Sequence, residues 1–180
     1  MLEVELKIIC FACNKWGYSA ADLAGVSRLK YSPSVKLIRL RCTGRIDPKH
    51  LLFAINNGAD GVMVVGWLPD QCEFKTGNYI AENHINFVKR ILERRGIGGD
   101  RVNMYNCSGA EAVKFVKSVE DTVNKIEKLG LNPLKSIKIE VETKAKKTGK
   151  KVKTVNPLEW TLKWKQIEVL LGHPCKGRGA

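Results

Sequence analysis

The chain has 180 residues, 44% of them hydrophobic, and a formal net charge of +13. That suffices for one domain with a real core plus an extension, and no apolar run approaches the roughly 18 residues of a membrane span. Much of the charge sits in one run, Lys144, Lys146, Lys147, Lys150, Lys151 and Lys153, so it reads as local to a tail rather than as the footprint of a nucleic-acid-binding protein.

The first residues, Met1 to Lys7, carry Glu3 and Glu5 where a signal peptide needs a basic region, and the apolar stretch Ile8 to Phe11 is short for a secretory core. The expected location is the cytoplasm, where thiols stay reduced. Six cysteines there point to metal or redox chemistry rather than to a disulfide framework.

In chain order, residues 6–12 read as a buried strand. Residues 19–25 make a short helix. Residues 35–41 alternate as a strand does, after the turn around Pro33. Asp47-Pro48, an N-cap followed by proline at the first helical position, opens a helix over 47–57 that ends at Gly58. Residues 60–66 are a continuous apolar run bounded by glycines, as in a central parallel strand covered on both faces. Helical spacing recurs over 76–95, stopping at Gly96, and over 109–129, stopping at Gly130; between them 102–106 is a weaker fourth strand. Strands alternating with helices predict an α/β domain over 1–130: a four-stranded parallel sheet with helices on both faces.

After Asn132-Pro133 the pattern changes. Residues 136–155 read as a basic hairpin and 157–171, with Trp160, Leu162, Trp164, Ile167, Val169 and Leu171, as an apolar arm. The segment 131–180 is expected to be an extended C-terminal arm that buries these groups on a partner protein.

The cysteines are the most informative feature. Cys13 follows the first predicted strand, Cys42 the second and Cys107 the fourth, while Cys72 lies in the loop after the third. In a parallel sheet all four belong to the carboxyl edge, where doubly wound folds bind ligands. Four thiols at one edge match the ligand demand of an iron–sulfur cluster. Cys10 makes a Cys-x-x-Cys spacing with Cys13, but residues three apart on a strand point to opposite faces, so Cys10 reads as core unless the strand ends early. Cys175 reads as a free thiol in the tail.

Other candidates carry less. Gly96-Ile97-Gly98-Gly99 follows a helix and opens none, so it fails the dinucleotide fingerprint and reads as a connection. His50, His84 and His173 have no ligand spacing. Asp47 reads as a helix cap, and Asp22 as a partner for backbone amides or an arginine near the edge. Arg39, Arg41 and Arg45 flank Cys42, either as a solvated rim or as counter-charges to a thiolate cluster. Lysines with nearby tryptophans leave nucleic-acid binding as a distant alternative, without any helix-turn-helix, zinc-finger or aromatic-sheet signature. A thiol–disulfide enzyme is disfavoured because Cys10-x-x-Cys13 begins inside a strand rather than opening a helix.

Ordered stretches of the chain resemble a known family. They are Phe11-Ala12-Cys13-Asn14, the run from Tyr18 through Asp22 to Gly25, Ile38-Arg39 through Cys42-Thr43-Gly44-Arg45 to Asp47-Pro48, Asn57-Gly58-Ala59-Asp60-Gly61, Gly77-Asn78-Tyr79 and Ser108 to Glu111. The family is the small delta subunit of the methyl-viologen-reducing (deazaflavin-nonreducing) hydrogenases, which also accompanies heterodisulfide reductase. The resemblance implies a non-catalytic electron-transfer subunit of anaerobic, methanogenic metabolism. It would carry a 2Fe-2S cluster and relay electrons between a hydrogenase or other dehydrogenase and a heterodisulfide-reductase-like flavoprotein. The implied ligands are Cys13, Cys42 and Cys72, with Cys107 or else Cys10 as the fourth. The chain departs from the family pattern at Trp16 and Trp67, which stand where the family has cysteines. Their paired replacement predicts that they are neighbours, and it leaves a clusterless structural adaptor as the alternative function.

Overall fold

The computed structural model describes residues 6–135. The expected hairpin and apolar arm, with His173 and Cys175, lie outside the described residues.

The sheet has four strands, β1 (Ile8–Cys13), β2 (Val35–Leu40), β3 (Gly61–Gly66) and β4 (Val102–Asn106), in the order β2-β1-β3-β4. Every pairing is parallel, with Ile8 opposite Val35 and Gly61, and Val62 opposite Val102. Parallel neighbours need crossovers. These run through α1 (Gly17–Val26), α2 (Pro48–Asn56) and α3 (Gly77–Arg94), and α4 (Ala112–Leu129) follows the last strand. The α/β fold read from the sequence is therefore the observed one.

Two apolar layers sandwich the sheet. On one face Ile8, Cys10, Ala12, Met63 and Val65 pack against Ala20, Ala24, Phe115, Val119 and Ile126 of α1 and α4. On the other, Val62, Val64 and Val102 pack against Leu51 and Ile55 of α2 and Ile85, Val88 and Leu92 of α3. The wholly buried β3 explains its unbroken apolar run. Asp47 caps α2 by accepting from Lys49 N at 2.8 Å, and His50 Nδ1 accepts from Asp47 N at 3.1 Å, completing a capping box.

At the amino edge a buried polar network closes the domain. Arg101 is 2% exposed, and its guanidinium donates to the carbonyl oxygens of Ile97, Asp60, Gly130, Leu129 and Leu131 at 2.8–3.3 Å. Asp60 accepts from Lys7 N and Asn132 N and pairs with Lys135. Asn132 Nδ2 reaches the carbonyls of Ile55 and Ala59, both at 2.7 Å. Arg101 thereby neutralises the carbonyl-rich end of α4, where orphaned acceptors collect.

Candidate functional site at the carboxyl edge

β1 extends one residue beyond the predicted strand. Cys13 is its last residue, opposite Leu40, rather than the first residue after it. Alternation along the strand then fixes the faces. Cys10 and Ala12 join the layer under α1 and α4, whereas Phe11 packs into the layer under α2 and α3. Cys13 shares the parity of Phe11, so it points the same way.

Cys42 follows β2 and caps a short 3-10 turn, Thr43–Arg45; its sulfur accepts from Gly44 N at 3.4 Å. Cys72 lies in the loop between β3 and α3. That loop holds Asp70 at φ 61° and Lys75 at φ 56°, left-handed conformations that cost non-glycine residues energy and are common where a loop is shaped for a site. Lys75 N bonds back to Cys72 O at 2.7 Å, Tyr79 Oη donates to Asp70 at 2.7 Å, and Glu73 pairs with Lys15 of the β1–α1 connection. The loop is thus pinned to α3 and to the segment that follows Cys13.

Close backbone approach joins the Cys42 turn to the start of α3. A Cβ on Gly44 would stand 2.7 Å from the Gly77 Cα, and a Cβ on Gly77 would stand 2.5 Å from the Cys42 sulfur and 3.2 Å from that of Cys72. Only glycine allows the two sulfurs to lie against this helix start. Cys42 and Cys72 interact directly, and Cys13 lies near enough to both to feel the charge of Cys72 and to add its own to Cys42. Among the described residues no three His, Cys, Asp or Glu side chains form a group that could chelate an ion as they stand.

Burial favours the neutral form of Cys10, Cys13, Cys42 and Cys107. Burial pushes Cys13 up, against hydrogen bonds from the Lys15 and Trp16 amides that favour its thiolate. Burial likewise raises Cys42, opposed by the Gly44 amide. Cys107 is pushed up to about 11, mainly by burial and secondarily by Glu111. Cys10 is raised by burial and then by Cys107.

Cys107 follows β4 and its N–H bonds to Gly66 O at 3.1 Å, so its backbone is at the same edge. Its side chain, 0% exposed, belongs to the α1/α4 layer beside Cys10. Cys13, Cys42 and Cys72 therefore lie near one another at the edge, and Cys107 sits in the α1/α4 layer, close enough to Cys13 to feel its charge. Trp16 and Trp67 are neighbours, as their paired replacement implied. Their ring centroids are 3.7 Å apart with the planes tilted by 37°. Asp22 and Arg39 border a shallow depression with Asn14, Trp16 and Tyr18, and the Arg39 guanidinium lies 5.3 Å from the Tyr18 ring centroid. The guanidinium thus has an aromatic partner of its own. Arg41 contributes its main-chain carbonyl, 4.0 Å from the Cys13 sulfur. His84 Nδ1 bonds to Ile46 O at 2.7 Å, a structural role.

Cys13 and Cys42 face amide donors, and Gly77 keeps room for the Cys42 and Cys72 sulfurs, but the three thiols do not stand as a chelating group. Among the described residues no fourth cysteine lies on the same side. The glycine contact between the Cys42 turn and α3 escaped sequence reasoning; its only signal was the pairing of Gly44 and Gly77 with nearby cysteines.

Residues 8–130 match the family described as methyl-viologen-reducing hydrogenase, delta subunit. Over 129 residues the chain is 50% identical to an iron-sulfur subunit of the vhu F420-non-reducing hydrogenase of Methanocaldococcus jannaschii, covering 72% of this chain and 96% of that protein. It is 47% identical over 132 residues to the protein of the same description in Methanococcus maripaludis, covering 73% and 98%. It is also 33% identical over 123 residues to one subunit of the ferredoxin/F(420)H(2)-dependent CoB-CoM heterodisulfide reductase of Methanosarcina acetivorans, covering 68% of this chain and 16% of that much longer protein. No helix of the described residues is long and apolar enough to cross a membrane.

Proposed function

Since this chain belongs to the delta-subunit family of methyl-viologen-reducing hydrogenase, we propose that it is an electron-transfer subunit carrying a 2Fe-2S centre. In this reading it relays electrons between a hydrogenase or other dehydrogenase module and a heterodisulfide-reductase-like flavoprotein. The observation that carries the reading is the convergence of Cys13, Cys42 and Cys72 at one edge. It occurs in a chain half identical to a protein described as an iron-sulfur subunit. The partner follows from the relative in which a domain like this one is a segment of a longer heterodisulfide reductase polypeptide. A domain fused to a protein in one organism is a natural non-covalent neighbour of the equivalent protein in another.

Cys13, Cys42 and Cys72 hold the group, and Cys107 is the further thiol available at this edge. Cys107, whose side chain lies in the α1/α4 layer, would have to leave that layer to join them. When bound, such a group supplies one-electron transfer at thiolate-ligated iron. The chain's own contribution is to gather the thiols and to offset their negative charge with the amides of Lys15, Trp16 and Gly44. The stacked Trp16 and Trp67 rings cover the edge against water. Around Cys72 the exposed Phe74, Tyr79 and Ile80, 57%, 41% and 41% accessible, offer apolar area on which a redox partner can seat.

A second reading, the clusterless adaptor, draws on the stack itself, which fills the edge where two further thiols would stand. One experiment separates the two. The full chain, purified without oxygen, is expected to contain iron and sulfide and to show a visible absorption that dithionite bleaches. Loading falls sharply in Cys42→Ala and is unchanged in Cys175→Ala. Full loading in Cys42→Ala refutes the ligand assignment, and a wild-type chain without iron or sulfide leaves the adaptor.

A further inference from the structure

Among the described cysteines, Cys42 and Cys72 are the pair placed for chemistry with each other. A Cβ on Gly77 would stand 2.5 Å from the Cys42 sulfur and 3.2 Å from the Cys72 sulfur, so both sulfurs border one small space at the start of α3. The two side chains also interact directly, and both are free thiols. Cys13 has a different neighbour, its sulfur lying 4.0 Å from Arg41 O. Cys10 and Cys107 are both 0% exposed within the α1/α4 layer, where a reagent in solution does not reach them. Access divides the Cys42–Cys72 pair. Cys42 is buried at the cap of the turn Thr43–Arg45, and its sulfur accepts from Gly44 N at 3.4 Å. Cys72 is half-buried, with exposed Gln71 and Glu73 on either side of it. Its loop is held in place by Gln71 N bonding to Leu68 O at 3.3 Å and Lys75 N to Cys72 O at 2.7 Å.

Exchange with a disulfide needs one thiol that meets the reagent and a second close enough to displace it. We propose that Cys42 and Cys72 are a thiol–disulfide exchange site for small-molecule disulfides, closing a reversible bond between their sulfurs. Cys72, its proton given up to water, attacks one sulfur of a small disulfide RS–SR. The S–S bond of the reagent breaks, and the first RS⁻ leaves and takes up a proton. Cys42 then gives up its proton and attacks the Cys72 sulfur. The bond between the two protein sulfurs forms, and the second RS⁻ leaves and is protonated in turn. The chain has lost two electrons and two protons, and the reagent has become two thiols. Gly77 leaves the space between the sulfurs clear, and the Gly44 amide steadies negative charge on Cys42 as it attacks. A bond with one sulfur near the surface is of the labile kind that small thiols reopen. This pair is distinct from the Cys10-x-x-Cys13 spacing. It uses no metal, so it goes beyond the electron-transfer reading and does not depend on it.

The test uses the full-length chain, stripped of any iron with a chelator, reduced, and freed of reductant without oxygen. Glutathione disulfide is the probe. Cys42 and Cys72 are expected to become resistant to alkylation together, and dithiothreitol to restore both. After alkylation of the remaining thiols and tryptic digestion without reductant, peptide 42–45 is expected to be joined to peptide 50–75. That readout needs no variant to fold. In Cys42→Ser the reaction is expected to stop at a stable glutathione adduct on Cys72, which wild type does not accumulate. Continued alkylation of both residues, a glutathione adduct that persists on Cys72 of the wild-type chain, or peptide 50–75 joined instead to peptide 8–15, which carries Cys13, overturns the proposal. Iron and sulfide in the untreated chain decide the electron-transfer reading separately, so the failure of either is distinguishable from the failure of the other.

Discussion

The two edges of the sheet treat buried polar groups in opposite ways. At the amino edge Arg101 spends its donors on five main-chain carbonyls, and Asp60 accepts from two amides and a lysine. At the carboxyl edge two indole N–H groups and one amide oxygen find no partner among the described residues, and the loop between β3 and α3 holds two non-glycine residues at positive φ. The same fold, with the same buried strands, saturates one end and leaves the other unsaturated. Saturation marks the end whose task is to hold the domain closed. Unsaturation marks the end shaped for something other than its own stability.

The contrast breaks if Arg101 proves dispensable. Arg101→Met is expected to destabilise the domain by about 3–5 kcal/mol, because it strands buried carbonyls and leaves the charge of Asp60 with one cation fewer. Urea unfolding with an unchanged slope checks this, and a loss below about 1 kcal/mol would remove the structural reading of that edge. Gly77→Ala comes next. Its Cβ would press on the Cys42 sulfur at 2.5 Å, so iron and sulfide content is expected to drop several-fold while the four cysteines stay in place. The loss of stability should be smaller than for Arg101→Met. Trp67→Phe sharpens the comparison in the other direction. Removing an unsatisfied buried donor is expected to leave the metal-free chain equally stable or more stable by up to about 1 kcal/mol, the reverse of what a substitution at the saturated edge does.

The smallest effect concerns pH. Lys125 and the Tyr105 hydroxyl hold the Asp121 carboxyl below its usual range. A depressed carboxylate contributes stability above the ordinary aspartate pKa and loses it as pH falls through the folded value. Because the pair is half exposed, Asp121→Asn is expected to cost only about 0.3–0.5 kcal/mol at neutral pH and nothing once the pH is well below that value.

The fold was legible because hydrophobic periodicity decides it: the unbroken run at 61–66 and the stripes of α3 and α4 can be satisfied only by a covered parallel sheet. The helix starts were legible where a cap was written in sequence, as at Asp47-Pro48. They were less so at α4, where residues 109–111 read as helix. There the carboxylate of Glu111 instead accepts from Ser108 N at 2.7 Å and closes a turn, delaying the helix to Ala112. The thiol-bearing edge was legible from topology alone, since every βα connection of a parallel sheet emerges there. The side on which Cys107 lands was not, because it depends on whether the count of alternation runs on past the end of β4. The Arg101 network was illegible for a different reason. A lone arginine before a strand looks like any surface charge until the end of α4 and Asn132 are brought to it from elsewhere in the chain.

Cys13 ends β1 while Cys42 and Cys72 lie in the connections after β2 and β3, so each is separated from the next by an entire helix and strand. No local segment brings any two of them together. Their meeting requires β2 and β3 both to have paired with β1, non-local contacts that form only after loop closure has been met twice. The edge is therefore among the last features to take shape as the chain folds. A metal ion arriving early encounters isolated thiols with nothing to chelate it, so it cannot template the domain as zinc does a finger peptide. If the proposed centre is present, its assembly would be a step performed on a finished scaffold.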